Sequence, residues 1–285
     1  MNMPQLLDEH DSWQAQLQLT FKQHKSRTVM GRSHHYGPLR VQRPFYPEGN
    51  LAHIYILHPP GGVVGGDQLN IELDIKARAQ LLCTTPGSGK FYLSAGHWAQ
   101  LEQQFHVEAG ASLEWLPQEN ILFDGARLRV RSRIELEDDA VFIGWDINCL
   151  GRPSSHERFE QGLYDARLEL YHNQQLLLVE NQRVFEPQML DSRAGLRGQA
   201  IQATLLAYPC DDHHVEAVRQ QLTTHKLFNH EKSAWMAVTL IDGLLVMRAL
   251  ADNTERLKQQ LTQVWQTLRP MMLKRDAMPP RIWNT

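Results

Sequence analysis

Trp13-Gln14-Ala15-Gln16-Leu17-Gln18-Leu19-Thr20-Phe21 sets an apolar side chain at every second position and, with one polar residue between each, decides the class of fold. Successive side chains of a strand point to opposite faces, so a period of two reads as a strand buried on one face. The same alternation, or a short apolar run, returns over 52–57, 69–75, 101–107, 112–116, 128–136 and 140–147. Turn chemistry separates these runs at Pro47-Glu48-Gly49, Pro59-Pro60-Gly61-Gly62, Gly65-Gly66-Asp67, Glu108-Ala109-Gly110, Asp124-Gly125 and Asp138-Asp139. Strands therefore follow one another without helices between them. A second series runs over 163–171, 175–180 and 199–208, and 234–240 faces 244–249 across Asp242-Gly243, a strong hairpin signal.

Helical spacing is confined to about 211–275. Val215, Val218, Leu222 and Leu227 follow Asp211-Asp212, and a second helix is expected from a cap at Asn253 or Thr254. That helix presents Leu257, Leu261, Val264, Trp265 and Leu268 on one face before Pro270. No period of 20 to 50 residues, low-complexity tract or Pro/Ser-rich linker is visible, so 1–285 reads as a single domain. The expected class is all-β, mainly strands with two C-terminal helices. So many strands must hide their edges, which favours a β-helix-like coil or stacked sheets.

With 285 residues, 42% hydrophobic and 21% charged, the chain can bury a sizeable core. A net charge of −3, with both signs mixed along the sequence, gives no field to attract nucleic acid or anionic lipid. The opening residues are polar and acidic, and no apolar run is long enough to span a bilayer, so a soluble cytoplasmic protein is expected. Cys83, Cys149 and Cys210 are few, odd in number and far apart, which suits buried thiols in a reducing compartment.

Several segments suggest chemistry and then fail its requirements. Thr84-Thr85-Pro86-Gly87-Ser88-Gly89-Lys90-Phe91 ends in Gly-Lys, but Thr84 and Phe91 stand where a phosphate loop needs Gly and Ser or Thr. Gly61-Gly62-Val63-Val64-Gly65-Gly66 leads into a strand, not into a helix that could hold a pyrophosphate. His34-His35 and His213-His214 lack a third ligand at metal-site spacing, so exposed or capping roles are favoured. No Gly-x-Ser-x-Gly elbow occurs, and no catalytic residue is assigned. Single carboxylates inside apolar strands are more telling: Glu72, Asp146 and Glu180 must pair, protonate or meet water. Ordinary alternation onto a solvent face suits Glu72 and Asp74, while Arg152 and Arg183 are candidate partners for Asp146 and Glu180.

Read in order, Arg43-Pro44-Phe45-Tyr46-Pro47-Glu48-Gly49, His58 through Asp67, and Thr84 through Tyr92 resemble the motifs of the urease accessory family UreD, also called UreH. Trp115 through Gly125, and Gly151-Arg152 with Glu157, Phe159 and Gly162, extend the resemblance over most of the chain. Leu93 departs from it, standing where a basic residue is expected after Tyr92. The resemblance implies a β-helix-like fold and a scaffold that is not an enzyme. Such a scaffold binds apo-urease and works with UreF and the GTPase UreG in GTP-driven nickel insertion, holding nickel only transiently and no tight cofactor. It also makes Arg43, Pro44, Tyr46, Glu48, His58, Lys90, Tyr92, Glu119, Asp124, Arg152 and Glu157 candidate partner contacts, and leaves a homodimer open.

Weak oxygen ligands along a wet interior would let a hydrated dication pass without trapping it. Asp67, Glu72, Asp146 and Glu180 are therefore expected to line a nickel path. Two rival readings are a metal-dependent hydrolase on an all-β fold and a self-associating structural β-protein.

Overall fold

The computed structural model describes residues 12–224 and 234–284; the opening segment and Leu227 lie outside the described residues. In chain order the strands are β1 (Gln14–His24), β2 (Arg27–Tyr36), β3 (Arg40–Val41), β4 (Ala52–Leu57), β5 (Gln68–Ile75), β6 (Gln80–Thr84), β7 (Gly89–Phe91), β8 (Ala99–Val107) and β9 (Ser112–Trp115). They continue with β10 (Asn120–Leu122), β11 (Arg127–Leu136), β12 (Val141–Arg152), β13 (Glu157–Arg158), β14 (Leu163–His172), β15 (Gln175–Val184), β16 (Ile201–Tyr208), β17 (Ala234–Ile241) and β18 (Leu244–Ala251). The helices are α1 (Gln188–Asp191), α2 (Asp212–Thr224) and α3 (Thr254–Leu273).

Two sheets result. The first has the order β15-β14-β11-β8-β5-β1-β2, and the second runs β17-β18-β16-β12-β9-β6-β4-β3 with β7, β10 and β13 attached. From β5 to β12 the chain alternates between them, and each return pairs in parallel with the previous strand of the same sheet. This is a short β-solenoid, as the mainly-β reading expected.

Its corners carry a repeat that residue identity conceals. Lys76-Ala77-Arg78-Ala79, Glu108-Ala109-Gly110-Ala111 and Glu137-Asp138-Asp139-Ala140 each close a turn in which the Ala N–H donates to the first residue's carbonyl, at 2.9, 3.0 and 3.0 Å. The third residue is left-handed each time, with φ of 62° at Arg78, 65° at Gly110 and 56° at Asp139. Ile75, Val107 and Leu136 stack just before these turns, 32 and then 29 residues apart. The expectation of no internal period is therefore corrected. What repeats is a backbone conformation and an inward Ala, which three different residues satisfy.

Alternating residues of both sheets fill the space between them with Leu17, Leu19, Phe21, Leu73, Phe105, Ile134 and Phe142. The outer face of the second sheet forms a further core with α2 and α3, through Trp145, Ile147, Leu205, Met247, Val264, Trp265 and Leu268. Trp115 and Trp265 are thus core residues. Asn253 caps α3 by accepting from the Arg256 N–H at 2.9 Å. The helix does not stop before Pro270 but carries it in its last turn and ends at left-handed Lys274. Helical structure also occurs outside 211–275, in α1 and a 3₁₀ turn at Pro153–Ser155. β2 escapes periodicity because most of it is exposed, and β6 because it is a short run buried on both faces.

All three cysteines are free and buried. His213-His214 sits at the start of α2, and His214 pairs with Asp211 at 2.6 Å. Among the described residues, no helix is long and apolar enough to cross a membrane.

Candidate functional site

Between the sheets lies a cavity of about 50 Å³, room for a few waters. Apolar walls come from Phe105, Trp115, Val130, Ile134, Phe142 and Leu206. Gln103, Ser132, Asp146, Glu180, Gln182 and Thr204 supply polar groups. The register explains why they converge. Asp146 of β12 stands beside Thr204 of β16, which stands beside Arg248 of β18. Across the gap, Gln103, Ser132, Leu168 and Glu180 align on β8, β11, β14 and β15.

Asp146 accepts from Asn148 Nδ2 at 2.6 Å and, more weakly, from Asn120 Nδ2 at 3.4 Å. The residue is half-buried and lines the cavity. Burial pushes its carboxyl up, Asn148 opposes the shift, and the Glu180 charge adds to it. Glu180 accepts from Gln182 Nε2 at 2.8 Å, Thr204 Oγ1 at 2.9 Å and Arg248 Nη2 at 3.1 Å. The sealed Tyr164 hydroxyl makes no hydrogen bond of good geometry although Asn148 lies close. Burial, and then the charges of Asp146 and Glu180, push its pKa well up. Gln182 Oε1 is likewise buried without a partner.

A family model described as UreD urease accessory protein matches residues 14–284. The chain belongs to the UreD family. Three curated relatives, each named urease accessory protein UreD, agree along nearly their whole length. The protein of Alcanivorax borkumensis is 46% identical over 283 residues, covering 97% of this chain and 94% of the relative. That of Pseudomonas putida strain W619 is 43% identical, covering 97% and 96%. That of Enterobacter sp. strain 638 is 40% identical, covering 96% of each.

In this UreD-family chain the four acidic residues expected on one path fall in three places. Asp146 and Glu180 share the cavity. Asp67 instead fastens a loop, accepting from the Trp13 N–H and the Val64 N–H, both at 2.9 Å. Glu72 lies on the opposite face of β5 from the core and accepts from Gln18 Nε2 at 2.9 Å. The expected arginines are also corrected: Arg183 pairs with Asp165 and Arg152 with Glu157, while Arg248 takes Glu180.

Sequence reasoning missed Gln103 and Ser132, whose side chains hydrogen-bond at 2.8 Å. The signal was present, since period two places Gln103 between Leu101 and Phe105, and Ser132 between Val130 and Ile134. Searching for charge alone overlooked these neutral groups on the inner face.

The motif residues divide by location. Glu48 contacts His53 at 2.7 Å and accepts from Arg269 of α3 at 2.8 Å. Glu119 accepts from Ser88 at 2.6 Å and stands 3.2 Å from the Lys258 ammonium, also on α3. Arg152 pairs with Glu157 and stacks 4.4 Å over Phe123, and Asp124 accepts from the Gln161 N–H at 2.7 Å. Tyr92 donates to the Gly61 carbonyl at 2.9 Å and packs edge-on against Phe123. Only Gly fits at Gly62, where an added Cβ would stand 2.2 Å from the Tyr92 ring. Arg27 stacks 4.3 Å over Tyr46. Burial lowers the pKa of His58, against the pull of Asp67. Arg43 and Lys90 are exposed, and Pro44 is half-buried.

Among the described residues, one group has metal-site spacing: Asp74, His106 and Glu108 at a solenoid corner. Lys76 already stands 2.7 Å from Asp74 and 2.9 Å from Glu108, so its ammonium occupies this group as a counter-charge.

Proposed function

We propose that this chain is a cytoplasmic scaffold for nickel delivery during urease maturation, and that it does not itself turn over a substrate. It binds apo-urease and, with UreF and UreG, supports GTP-dependent nickel insertion. Nickel is cargo, held transiently by oxygen ligands. The observation that carries this reading is the pair of carboxylates, Asp146 and Glu180, on one cavity inside a chain of the UreD family.

A dication stripped of water in an apolar interior would face a prohibitive desolvation cost. Carboxylate, amide and hydroxyl oxygens at Asp146, Glu180, Gln182, Thr204, Gln103 and Ser132 replace part of that hydration. Since they are oxygen donors and not thiolates, the ion is not trapped. The other motif residues hold the helical layer and the rim in place for partner docking.

The test is urease activity in cells at limiting nickel, with co-purification of urease and the other accessory proteins. Asp146→Ala and Glu180→Ala should each lower activation while the protein stays soluble and still co-purifies with urease. Full activation by both variants would end the path, and failure of the parent chain to co-purify with urease would end the scaffold.

A further inference from the structure

The inner cavity does not end at its own walls. Glu180, Gln182 and Thr204 also line a second pocket, about 720 Å³, that opens between the edge strands β15 and β17. These three residues form the junction between the interior and the open pocket. Arg248 stands at that junction from the outer side, with Nη2 at 3.1 Å and Nε at 3.4 Å from the two Glu180 oxygens.

The pair is asymmetric in its exposure. Glu180 is 9% exposed, whereas the Arg248 side chain is 56% exposed to the open pocket. The other arginines at this mouth are engaged elsewhere. Arg183 lies 3.2 Å from Asp165, and Arg197 donates to the Arg193 carbonyl and stacks on Trp235. Arg167, on the inner side, is held by Glu169. Among the described residues, Arg248 is thus the cation paired with Glu180.

A guanidinium keeps its proton at any physiological pH, so this pair opens only if the side chain moves or another cation takes its place. A dication attracts a carboxylate twice as strongly as a single charge at the same distance. The displaced guanidinium can return to water at small cost, because more than half of it is already there. A buried cation partner would lack that exit.

We propose that Arg248 is an exchangeable gate at the cavity mouth, its guanidinium holding Glu180 until a divalent cation displaces it into the outer pocket. This rests on the nickel-path reading above and adds a control to it: Glu180 keeps a cationic partner while no cargo is present. Gln182 and Thr204 stay on Glu180 through the exchange and keep its carboxylate aimed at the junction.

The full-length chain, purified alone, is titrated with nickel chloride by calorimetry. Arg248→Met keeps the apolar stem and removes the competitor, so nickel should bind tighter, by up to about fivefold, the scale of a half-exposed ion pair. The gain should vanish in Arg248→Met/Glu180→Gln. Arg248→Lys keeps the charge but not the fork, and should give a smaller gain of the same sign. Equal or weaker binding by a folded Arg248→Met, or a gain that survives Glu180→Gln, overturns the gate. Should Arg248→Met not fold, Arg248→Lys decides alone, with unchanged or weaker binding counting against it. These results are separable from the path, which fails if Asp146→Ala and Glu180→Ala activate urease fully whatever the calorimetry shows.

Discussion

Arg269 of α3 reaches Glu114 of β9 across 155 residues of chain, Nε to Oε2 at 2.8 Å, with both side chains sealed from water. The same guanidinium stands 2.8 Å from Glu48, and Trp265 Nε1 donates to Glu114 at 2.7 Å. One arginine therefore bridges two buried carboxylates, Glu48 from the turn before β4 and Glu114 from β9. The helical layer is fixed to the solenoid at this point. Removing the cation leaves both carboxylates buried without it, so Arg269→Ala should cost about 3–5 kcal/mol. Urea denaturation measures this, and an unchanged midpoint would show that the network does not hold the helix down.

Acid should loosen the same network. Burial alone would raise the Glu48 carboxyl, but hydrogen bonds with His53 and Arg269 prevail and lower it from 4.5 to about 2. The unfolded chain therefore binds more protons than the folded one between those values. The contribution is complete above pH 4.5 and is lost as pH falls toward about 2. Glu48→Gln should be the less stable protein near neutrality and should lose less stability than the parent on acidification. Parallel stability-versus-pH curves would refute this linkage.

The solenoid corners make an opposite pair of predictions. Asp139 holds a left-handed conformation with φ of 56°, where Gly110 holds the equivalent place in the neighbouring coil. Asp139→Gly should stabilise by up to about 1 kcal/mol, by removing a Cβ from an unfavourable region. Gly110→Val should destabilise by about 1–2 kcal/mol or more, since a Cβ there is strained and also stands 3.4 Å from Arg78 Cγ. Thermal melts of the two variants should shift in opposite directions.

Ser132 offers a test of the cavity that leaves every charge in place. Ser132→Val replaces the hydroxyl by two methyl groups, so it makes part of the wall apolar and removes the donor to Gln103 Oε1. We expect stability within about 1–2 kcal/mol of the parent and reduced urease activation at limiting nickel. Unimpaired activation would route nickel away from this cavity.

Much of the strand framework was legible because period two is a local signal. Strand β4 follows from a short apolar run and most of β5, β8 and β11 from alternating apolar residues, and Asp242-Gly243 marks the hairpin between β17 and β18. Exposed β2 and the short β6, β7 and β10 lack that signal, since their pairing depends on neighbours distant in sequence. The candidate site was legible in part. Asp146 and Glu180 stood out as charges in apolar company, but their partners did not, because proximity in sequence favoured Arg152 and Arg183 over Arg248.

By itself, the sequence determined that this protein is built mainly of strands, where two of its helices lie, and which motifs place it with the urease accessory proteins. Side-chain alternation and turn chemistry act within a few residues, so they can be read along the chain. Only the tertiary structure decided that Asp67 and Glu72 stand apart while Asp146 and Glu180 share a cavity, that Gln103 and Ser132 face them, and that Arg269 joins Glu48 to Glu114. Those relationships are set by strand register and sheet stacking, in which residues a hundred or more positions apart are brought within hydrogen-bond reach.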